Sequence, residues 1–111
     1  MVMIDLGTND YSTEPHPSDE EFSNGLSAFV GTVQKDYPTA QVLLICSYNL
    51  TDSQCGNIEA VAESKEVHFL RLDKALVGSL GCNYHPDQAA QQAISDFVTP
   101  FVESLFAAHE N

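Results

Sequence analysis

The sequence begins Met-Val-Met-Ile-Asp-Leu-Gly-Thr-Asn-Asp over residues 1–10, and this stretch decides the fold. Its first part is an apolar run without strict alternation, which is typical of a strand covered on both faces in a parallel sheet. Gly7 to Asp10 would then stand at the carboxyl end of that strand, where ligands of α/β proteins bind. Gly, Asn and Asp are also the commonest turn residues, so an ordinary strand-to-loop turn is the alternative interpretation.

Five further elements follow from the patterns downstream. Ser18 and Glu21 form a capping-box pattern, which predicts a helix beginning at Ser18, and apolar residues at helical spacing continue it to Tyr37-Pro38. Pro86-Asp87 opens a last helix with one apolar stripe, in which Pro100 is a candidate kink. Between these helices the patterns predict a strand over 41–46, a polar loop over 47–56, a helix over 57–65 and a strand over 67–72.

The alternation of strand and helix predicts an α/β fold with a parallel sheet. With about three strands and three helices, the chain would form the C-terminal half of a three-layer α/β/α sandwich. Its 111 residues allow one domain at most, near the lower limit for such a sheet. We therefore expect one partial domain over residues 1–111.

The chain carries a formal net charge of −12, with four Lys and Arg residues. Nucleic acids and anionic membranes both require a cationic surface, so neither is an expected partner. No apolar run is long enough to span a membrane, and the N-terminal residues do not resemble a signal peptide. A neutral substrate is compatible with this charge.

Two short motifs carry a family resemblance: Gly-Thr-Asn-Asp at 7–10 and Gly-Cys-Asn-Tyr-His-Pro at 81–86. A Gly-x-Asn-Asp block after an early strand, with a His-Pro before the last helix, resembles the SGNH hydrolases, also called GDSL-like esterases. In these enzymes four short blocks build an acyl-transfer site. The resemblance is strongest to acetyl esterases of the carbohydrate esterase family two type, which carry similar forms of both motifs. The first two of the four blocks are absent from this sequence.

This resemblance implies the C-terminal part of a serine esterase that removes acyl groups, acetyl in particular, from carbohydrate or another small ester. Asn9 would donate its side-chain amide to the oxyanion, and His85 would act as the general base. Tyr84 would present its ring to a sugar. Gly7 and Asp10 would belong to the substrate site, with Asp10 fixing its loop through backbone N–H groups. The resemblance implies no cofactor.

Two departures from the family pattern concern catalysis. Most SGNH enzymes place an Asp three residues before the histidine, where this chain has Cys82. A Ser-His dyad with the histidine held by a backbone carbonyl would accommodate this, whereas Asn83 cannot stabilise an imidazolium as a carboxylate does. The Gly-Asp-Ser block that carries the nucleophile is also missing, so we expect the chain to be inactive unless it is completed.

The fold of the resembled family places another strand beside the one predicted at the start of this chain. Without it, the apolar edge from Val2 to Leu6 would be open, and complete proteins normally cover such edges. We therefore expect a missing N-terminal segment or a second chain to cover the first strand.

Other readings of the same residues stay open. Outside the motif context, Asn9 is a turn asparagine, His85 a surface histidine and Tyr84 a packed loop aromatic. The chain could be a non-catalytic carbohydrate-binding or interaction domain descended from an esterase. A cysteine hydrolase using Cys82 is a third hypothesis. A metal site is a fourth and weakest, because no ligand spacing recurs among His16, His68, His85 and the cysteines.

The cysteines and one sequon bear on the cellular compartment. Cys46 and Cys55 flank one loop and could form a disulfide in an oxidising compartment, but buried free cysteine is the expected state. Asn49-Leu50-Thr51 in that loop is a glycosylation sequon, which fits a secreted parent protein but also arises by chance.

Overall fold

Three parallel strands and three α-helices occur within residues 1–110, which a computed structural model of the chain describes. The strands are β1 (Val2–Ile4), β2 (Val42–Cys46) and β3 (His68–Arg71), and the helices are α1 (Asp19–Asp36), α2 (Asp52–Lys65) and α3 (Gln88–His109). The predicted α/β fold with a parallel sheet is confirmed. The chain divides into a first unit, Met1–Leu72, and a second unit, Asp73–Asn111. The expectation of a single domain stays a prediction.

The sheet of the first unit has the strand order β1-β2-β3, and both neighbouring pairs are parallel. Val2 pairs with Val42, and Leu44 pairs with Phe69. Because the strands are parallel, the loops that follow β1 and β2 both leave the sheet at the carboxyl ends of the strands. α/β proteins place their ligand-binding residues at these carboxyl ends.

The hydrophobic core of the first unit lies between the sheet and the two helices α1 and α2, which pack against each other. All five residues of β2 are buried, as the uninterrupted apolar run predicts. Alternate β2 side chains and buried residues of both helices form most of this core. They are Val42, Leu44, Cys46, Phe22, Leu26, Val30, Val33, Cys55, Ile58, Val61 and Ala62.

The first strand departs from the prediction of burial on both faces. β1 comprises three residues, and Met3 is 56% exposed, with Leu6 beyond the strand 51% exposed. The physical reason is its edge position, because within residues 1–110 β1 pairs with β2 alone. Ile4 is the β1 residue that enters the core.

The start of α1 is the predicted one. The Ser18 hydroxyl accepts a hydrogen bond from the Glu21 N–H at 3.1 Å, and the Glu21 carboxylate accepts one from the Ser18 N–H at 2.8 Å. These reciprocal bonds satisfy two donors that a helix end would otherwise leave free. The apolar residues at helical spacing in α1 are buried, as their pattern predicts, except for Phe29, which is 45% exposed.

The second helix begins five residues before the predicted Asn57, because a second capping box precedes it. The Thr51 hydroxyl accepts from the Gln54 N–H at 3.2 Å, and Gln54 Oε1 accepts from the Thr51 N–H at 2.9 Å. The expectation of free cysteines is wrong for Cys46 and Cys55, which form a disulfide with a Cα–Cα distance of 5.5 Å. This bond ties the end of β2 to the first turn of α2.

The second unit contains two short 3₁₀ turns, Lys74–Leu76 and Cys82–Tyr84, followed by α3. Asp87 caps α3 by accepting a hydrogen bond from the Ala90 N–H at 2.9 Å, as the Pro86-Asp87 pair predicts. Pro100 lies inside this helix. Among the residues described, no helix combines the length and apolar character needed to cross a membrane.

Candidate functional site

The loop that carries the first motif starts at Gly7, which has a φ of +122°. Residues other than glycine rarely adopt this backbone conformation. The position is also crowded, since a Cβ atom here would lie 3.2 Å from Phe22 Cζ and 3.4 Å from Leu50 Cδ1. Gly7 therefore sets the backbone turn that follows β1 and lets it approach the core.

Four hydrogen bonds close this loop, one of them from the Ser12 N–H to the Asn9 carbonyl at 3.5 Å. The Tyr11 N–H donates to the Gly7 carbonyl at 3.2 Å, and the Ser12 hydroxyl donates to the Asn9 carbonyl at 3.1 Å. The Thr8 hydroxyl donates to Asn49 Oδ1 at 3.1 Å, which joins the loop after β1 to the loop after β2. The sequence patterns did not single out the pairing of Thr8 with Asn49. The signal for it is the rule that parallel strands end at one sheet edge.

The Asn9 side chain is exposed and makes no hydrogen bond to any residue within 1–110, while its backbone carbonyl is held by Ser12. Its amide N–H groups are therefore available to a ligand. Asp10 also makes no side-chain hydrogen bond within the described chain. Contrary to the expectation from the motif, this carboxylate therefore does not hold the loop. Thr8 and Ser12 supply the side-chain contacts instead.

A cleft of about 230 Å³ lies beside this loop in the first unit. Two carboxylates, of Asp10 and Glu21, take part in its lining. The Glu21 carboxylate is engaged in the α1 capping box, and hydrogen bonds from the Ser18 backbone and side chain lower its pKa. The remaining lining residues are Leu6, Pro17, Phe22, Gly25, Leu26 and Phe29. The cleft is thus lined mainly by apolar residues, together with two carboxylates.

Tyr11 anchors the far end of the loop to α1. Its ring packs on Phe22 at a centroid distance of 5.0 Å and meets the His16 ring edge-on at 5.9 Å. Burial raises the pKa of the Tyr11 hydroxyl, and the nearby charges of Asp19 and Asp10 act in the same direction. Tyr11 is therefore neutral at physiological pH and serves as a packing residue.

The second motif lies in the second unit, in a closed loop before α3. The Gly81 N–H donates to the His85 carbonyl at 2.7 Å, and the His85 N–H donates to the Cys82 carbonyl at 3.2 Å. Leu80 and Pro86 form an isolated antiparallel bridge at the base of the loop. The backbone on both sides of the His85 ring is therefore fixed.

Two consecutive residues of this loop have left-handed backbones, Asn83 with a φ of +53° and Tyr84 with a φ of +61°. Asn tolerates this region, but a bulky residue such as Tyr rarely adopts it, at a cost on the order of 1–3 kcal/mol. Such strain clusters at functional sites. The Tyr84 ring is not used for packing, because Tyr84 is 85% exposed.

The His85 side chain is exposed, and no residue of the described part of the second unit hydrogen-bonds its ring. The expected backbone carbonyl partner is therefore not seen there. Asp87 does not take that role, because its carboxylate accepts hydrogen bonds from the Ser79 hydroxyl and the Ala90 N–H. These bonds lower the pKa of Asp87. Cys82 is an exposed free thiol.

Ser79 and Asp87 lie outside the motif, one on each side of it in the sequence, and they hold the two ends of the loop together. The Asp87 N–H also donates to the Ser79 carbonyl at 3.5 Å, so the two residues are joined by both backbone and side chain. The only sequence signal for this arrangement is the capping preference of Asp87 before α3.

The predicted site residues are thus distributed over both units: Gly7, Asn9 and Asp10 lie in the first, and Tyr84 and His85 in the second. Each group occupies one short loop held by hydrogen bonds. Within residues 1–110, no three His, Cys, Asp or Glu side chains are grouped as a metal site would require.

Two solved structures match this chain over 96% of its length. One is a carbohydrate esterase family 2 enzyme plus a carbohydrate-binding domain from Corynascus thermopiles (Myceliophthora fergusii), with 25% identity and a TM-score of 0.83. The other is an active-site mutant of a family two carbohydrate esterase from Clostridium thermocellum, in complex with celluohexase, with 20% identity and a TM-score of 0.85. Searches against protein families and against curated proteins gave no match.

The matches cover 37% and 36% of the two solved chains. This share fits a C-terminal portion of such an enzyme, and the resemblance stated from the two motifs is confirmed at the level of the fold. The chain has the α/β fold of carbohydrate esterase family 2 enzymes and spans about 37% of the length of the first of them.

Proposed function

We propose that this chain is the C-terminal part of an SGNH-type serine ester hydrolase that removes acyl groups, acetyl in particular, from carbohydrate. The observation that carries the proposal is the loop after β1. It presents the exposed Asn9 amide at a sheet edge while Gly7, Thr8 and Ser12 hold its backbone. The fold shared with carbohydrate esterases supports the same reaction class.

In this proposal Asn9 donates a hydrogen bond to the oxyanion that forms when the ester carbonyl is attacked. One such donor typically contributes about 3 kcal/mol of transition-state stabilisation. His85 takes the proton of the attacking serine and returns it to the leaving alcohol. A segment with a Gly-Asp-Ser block supplies that serine, because no block of this kind occurs in residues 1–111.

The substrate class follows from charge and exposure. The chain has a net charge of −12, which disfavours an anionic substrate and suits a neutral acylated sugar. Tyr84 offers an 85% exposed ring on a fixed loop, and an aromatic face packs well against the C–H groups of a sugar ring. Gly7 and Asp10 belong to the substrate side of the first loop in this proposal.

The same proposal includes a partner for the sheet edge. β1 pairs with β2 alone in the described chain, and Met3 and Leu6 are more than half exposed. A preceding segment of the same protein, or a second chain, covers this edge and brings the nucleophile. An open apolar edge is otherwise prone to pair with other chains.

A second candidate function is a non-catalytic carbohydrate-binding domain with the fold of an esterase. The missing Gly-Asp-Ser block and the exposed Tyr84 favour it. The two candidates differ in turnover, because a binding domain retains affinity for acetylated cello-oligosaccharide without hydrolysing it, even after the first strand is covered.

The first experiment uses the purified chain and an activated aryl acetate, with His85→Ala and the control His109→Ala, which changes an exposed histidine at the end of α3. The proposal expects no turnover from the folded chain. Turnover that disappears with His85→Ala and persists with His109→Ala would show that the chain holds its own nucleophile.

A thiol test separates the cysteine-hydrolase hypothesis from both candidates. Cys82 is the exposed free cysteine of the described chain, so alkylation at neutral pH modifies it selectively. If the completed protein retains its activity after alkylation, Cys82 is not the nucleophile. Binding of acetylated cello-oligosaccharide, measured by calorimetry with and without Tyr84→Ala, tests the role of the ring.

A further inference from the structure

We propose that Asn49 is a site of N-linked glycosylation. Its acceptor pattern, Asn49-Leu50-Thr51, is the one Asn-x-Ser/Thr sequence in the 111 residues. It lies in the loop between β2 and α2, beside the disulfide. The proposal does not depend on the esterase function, because it concerns modification of the chain during its synthesis.

The side chains of the sequon are divided between core and solvent. Leu50 is 3% exposed and belongs to the hydrophobic core, whereas Asn49 is exposed. The buried Leu50 therefore anchors the loop, and the acceptor residue remains at the surface of the folded protein. A bulky, hydrated glycan at this position displaces no core residue.

The bonding of the Asn49 amide suits the modification. Its oxygen Oδ1 accepts a hydrogen bond from the Thr8 hydroxyl at 3.1 Å, and its nitrogen Nδ2 makes no hydrogen bond to any residue within 1–110. Glycosylation uses Nδ2 and leaves Oδ1 as an acceptor. The contact with Thr8 is thus compatible with a glycan on the same side chain.

The disulfide is an independent observation that points to the same compartment. Cys46 and Cys55 lie on either side of the sequon and are joined to each other. Structural disulfides of this kind form in oxidising compartments such as the lumen of the endoplasmic reticulum. The lumen of the endoplasmic reticulum is also where sequons are modified, so the disulfide and the sequon fit the same compartment.

The transfer requires a lipid-pyrophosphate-linked oligosaccharide as the co-reactant. A bond forms between Asn49 Nδ2 and the anomeric carbon of the first sugar, and the bond from that carbon to the pyrophosphate oxygen breaks. The pyrophosphate leaves with the electron pair, and Nδ2 loses one proton to a base of the transferase. No oxidant or reductant takes part.

The test is expression of the chain behind a secretory leader in yeast, with mass spectrometry of the intact protein and of the peptide containing residue 49. Asn49→Gln removes the acceptor. Thr51→Asp removes the sequon but keeps a side chain that caps helices well, and Thr51→Ser keeps both the sequon and the cap. Cell-associated chain is analysed together with the secreted fraction, because the glycan is added before secretion.

We expect a heterogeneous mass increase in the wild type and in Thr51→Ser that peptide N-glycosidase removes, leaving aspartate at position 49. Asn49→Gln and Thr51→Asp are expected to have the mass of the bare chain, and Thr51→Asp is expected to retain the wild-type circular dichroism spectrum. Unmodified Asn49 in disulfide-bonded wild type from both fractions would overturn the proposal. A glycosidase-sensitive mass increase that survives Asn49→Gln would also overturn it.

Discussion

The Thr8 hydroxyl donates a hydrogen bond to Asn49 Oδ1 across 3.1 Å, and the two residues are 41 positions apart in the sequence. Thr8 lies in the loop after β1, and Asn49 lies in the loop after β2. Since the strands are parallel neighbours, the bond connects two loops that both begin at the carboxyl ends of the strands. It holds the backbone next to Asn9 without using the Asn9 side chain.

Thr8→Val is expected to loosen this loop with a small loss of stability. The bond is exposed, so we expect a decrease of about 0.5 kcal/mol in the free energy of unfolding, at the lower end of typical values. Thr8→Ser keeps the hydroxyl and serves as the control. Amide hydrogen exchange at Asn9 and Asp10 in unglycosylated protein measures the effect, and equal exchange rates in Thr8→Val and wild type would contradict it.

Gly7→Ala is expected to destabilise the first unit by about 1–3 kcal/mol, because alanine is strained at this backbone conformation. The φ of +122° and the 3.2 Å approach of a Cβ to Phe22 both contribute. Gly25→Ala is the matched control, since nothing lies within 4 Å of its Cβ and alanine favours the helix α1. Urea denaturation compares them. A Gly7→Ala variant as stable as Gly25→Ala would show that the backbone at residue 7 does not require glycine.

Several fold features were predictable because local chemistry determines them. The Ser18–Glu21 capping box gave the start of α1, and the apolar run before Cys46 gave the buried strand β2. The start of α2 was missed because apolar residues first recur at helical spacing only near Ile58, while the Thr51–Gln54 capping box stands among polar residues. Capping boxes with Gln instead of Glu were the overlooked signal.

The sequence predicted the two motifs of the site, but it did not predict their backbone conformations or contacts. The positive φ of Tyr84 has no sequence signal, because tyrosine is rarely found in that region. The pairing of Cys46 with Cys55 depends on the approach of the end of β2 to the start of α2, which the sequence does not specify. The exposure of Met3 follows from the edge position of β1, which strand pairing decides.

Reduction of the disulfide is expected to lower the free energy of unfolding by about 2–3 kcal/mol, according to the loop-entropy relation for a short closed loop. Cys46 and Cys55 are nine positions apart. The measurement uses Cys82→Ser protein, so that the free thiol does not interfere, and compares urea midpoints before and after reduction. An unchanged midpoint after complete reduction would show that the bond does not contribute to stability.

Stability is expected to fall at acidic pH through Asp87. The Ser79 hydroxyl and then the Ala90 N–H lower the pKa of this carboxyl from its ordinary value of 3.8. A lowered folded-state pKa contributes stability that is complete above the unfolded-state pKa and disappears as the pH falls through the folded-state pKa. The advantage of wild type over Asp87→Asn should therefore be constant near neutrality and shrink below pH 3.8.

The control for this experiment is Glu103→Gln, which removes a carboxylate from the same helix far from its cap. Urea midpoints at successive pH values give the three profiles. An Asp87→Asn difference that persists unchanged at the lowest pH would mean that the ionised carboxylate is not the stabilising form.

The proposed roles of Asn9 and His85 in ester hydrolysis are tested most directly by steady-state kinetics of the completed protein. This protein joins the chain to a segment that carries a Gly-Asp-Ser block, and the substrate is an acetylated cello-oligosaccharide. Asn9→Ala and His85→Ala are compared with Asn24→Ala and His109→Ala, which change exposed residues on α1 and α3.

We expect Asn9→Ala to lower kcat about 100- to 1000-fold with little change in KM, because the amide acts on the charge that develops in the transition state. His85→Ala should abolish turnover, and both controls should retain it. Loss through KM alone in Asn9→Ala, or wild-type kcat in His85→Ala, would contradict the assigned roles.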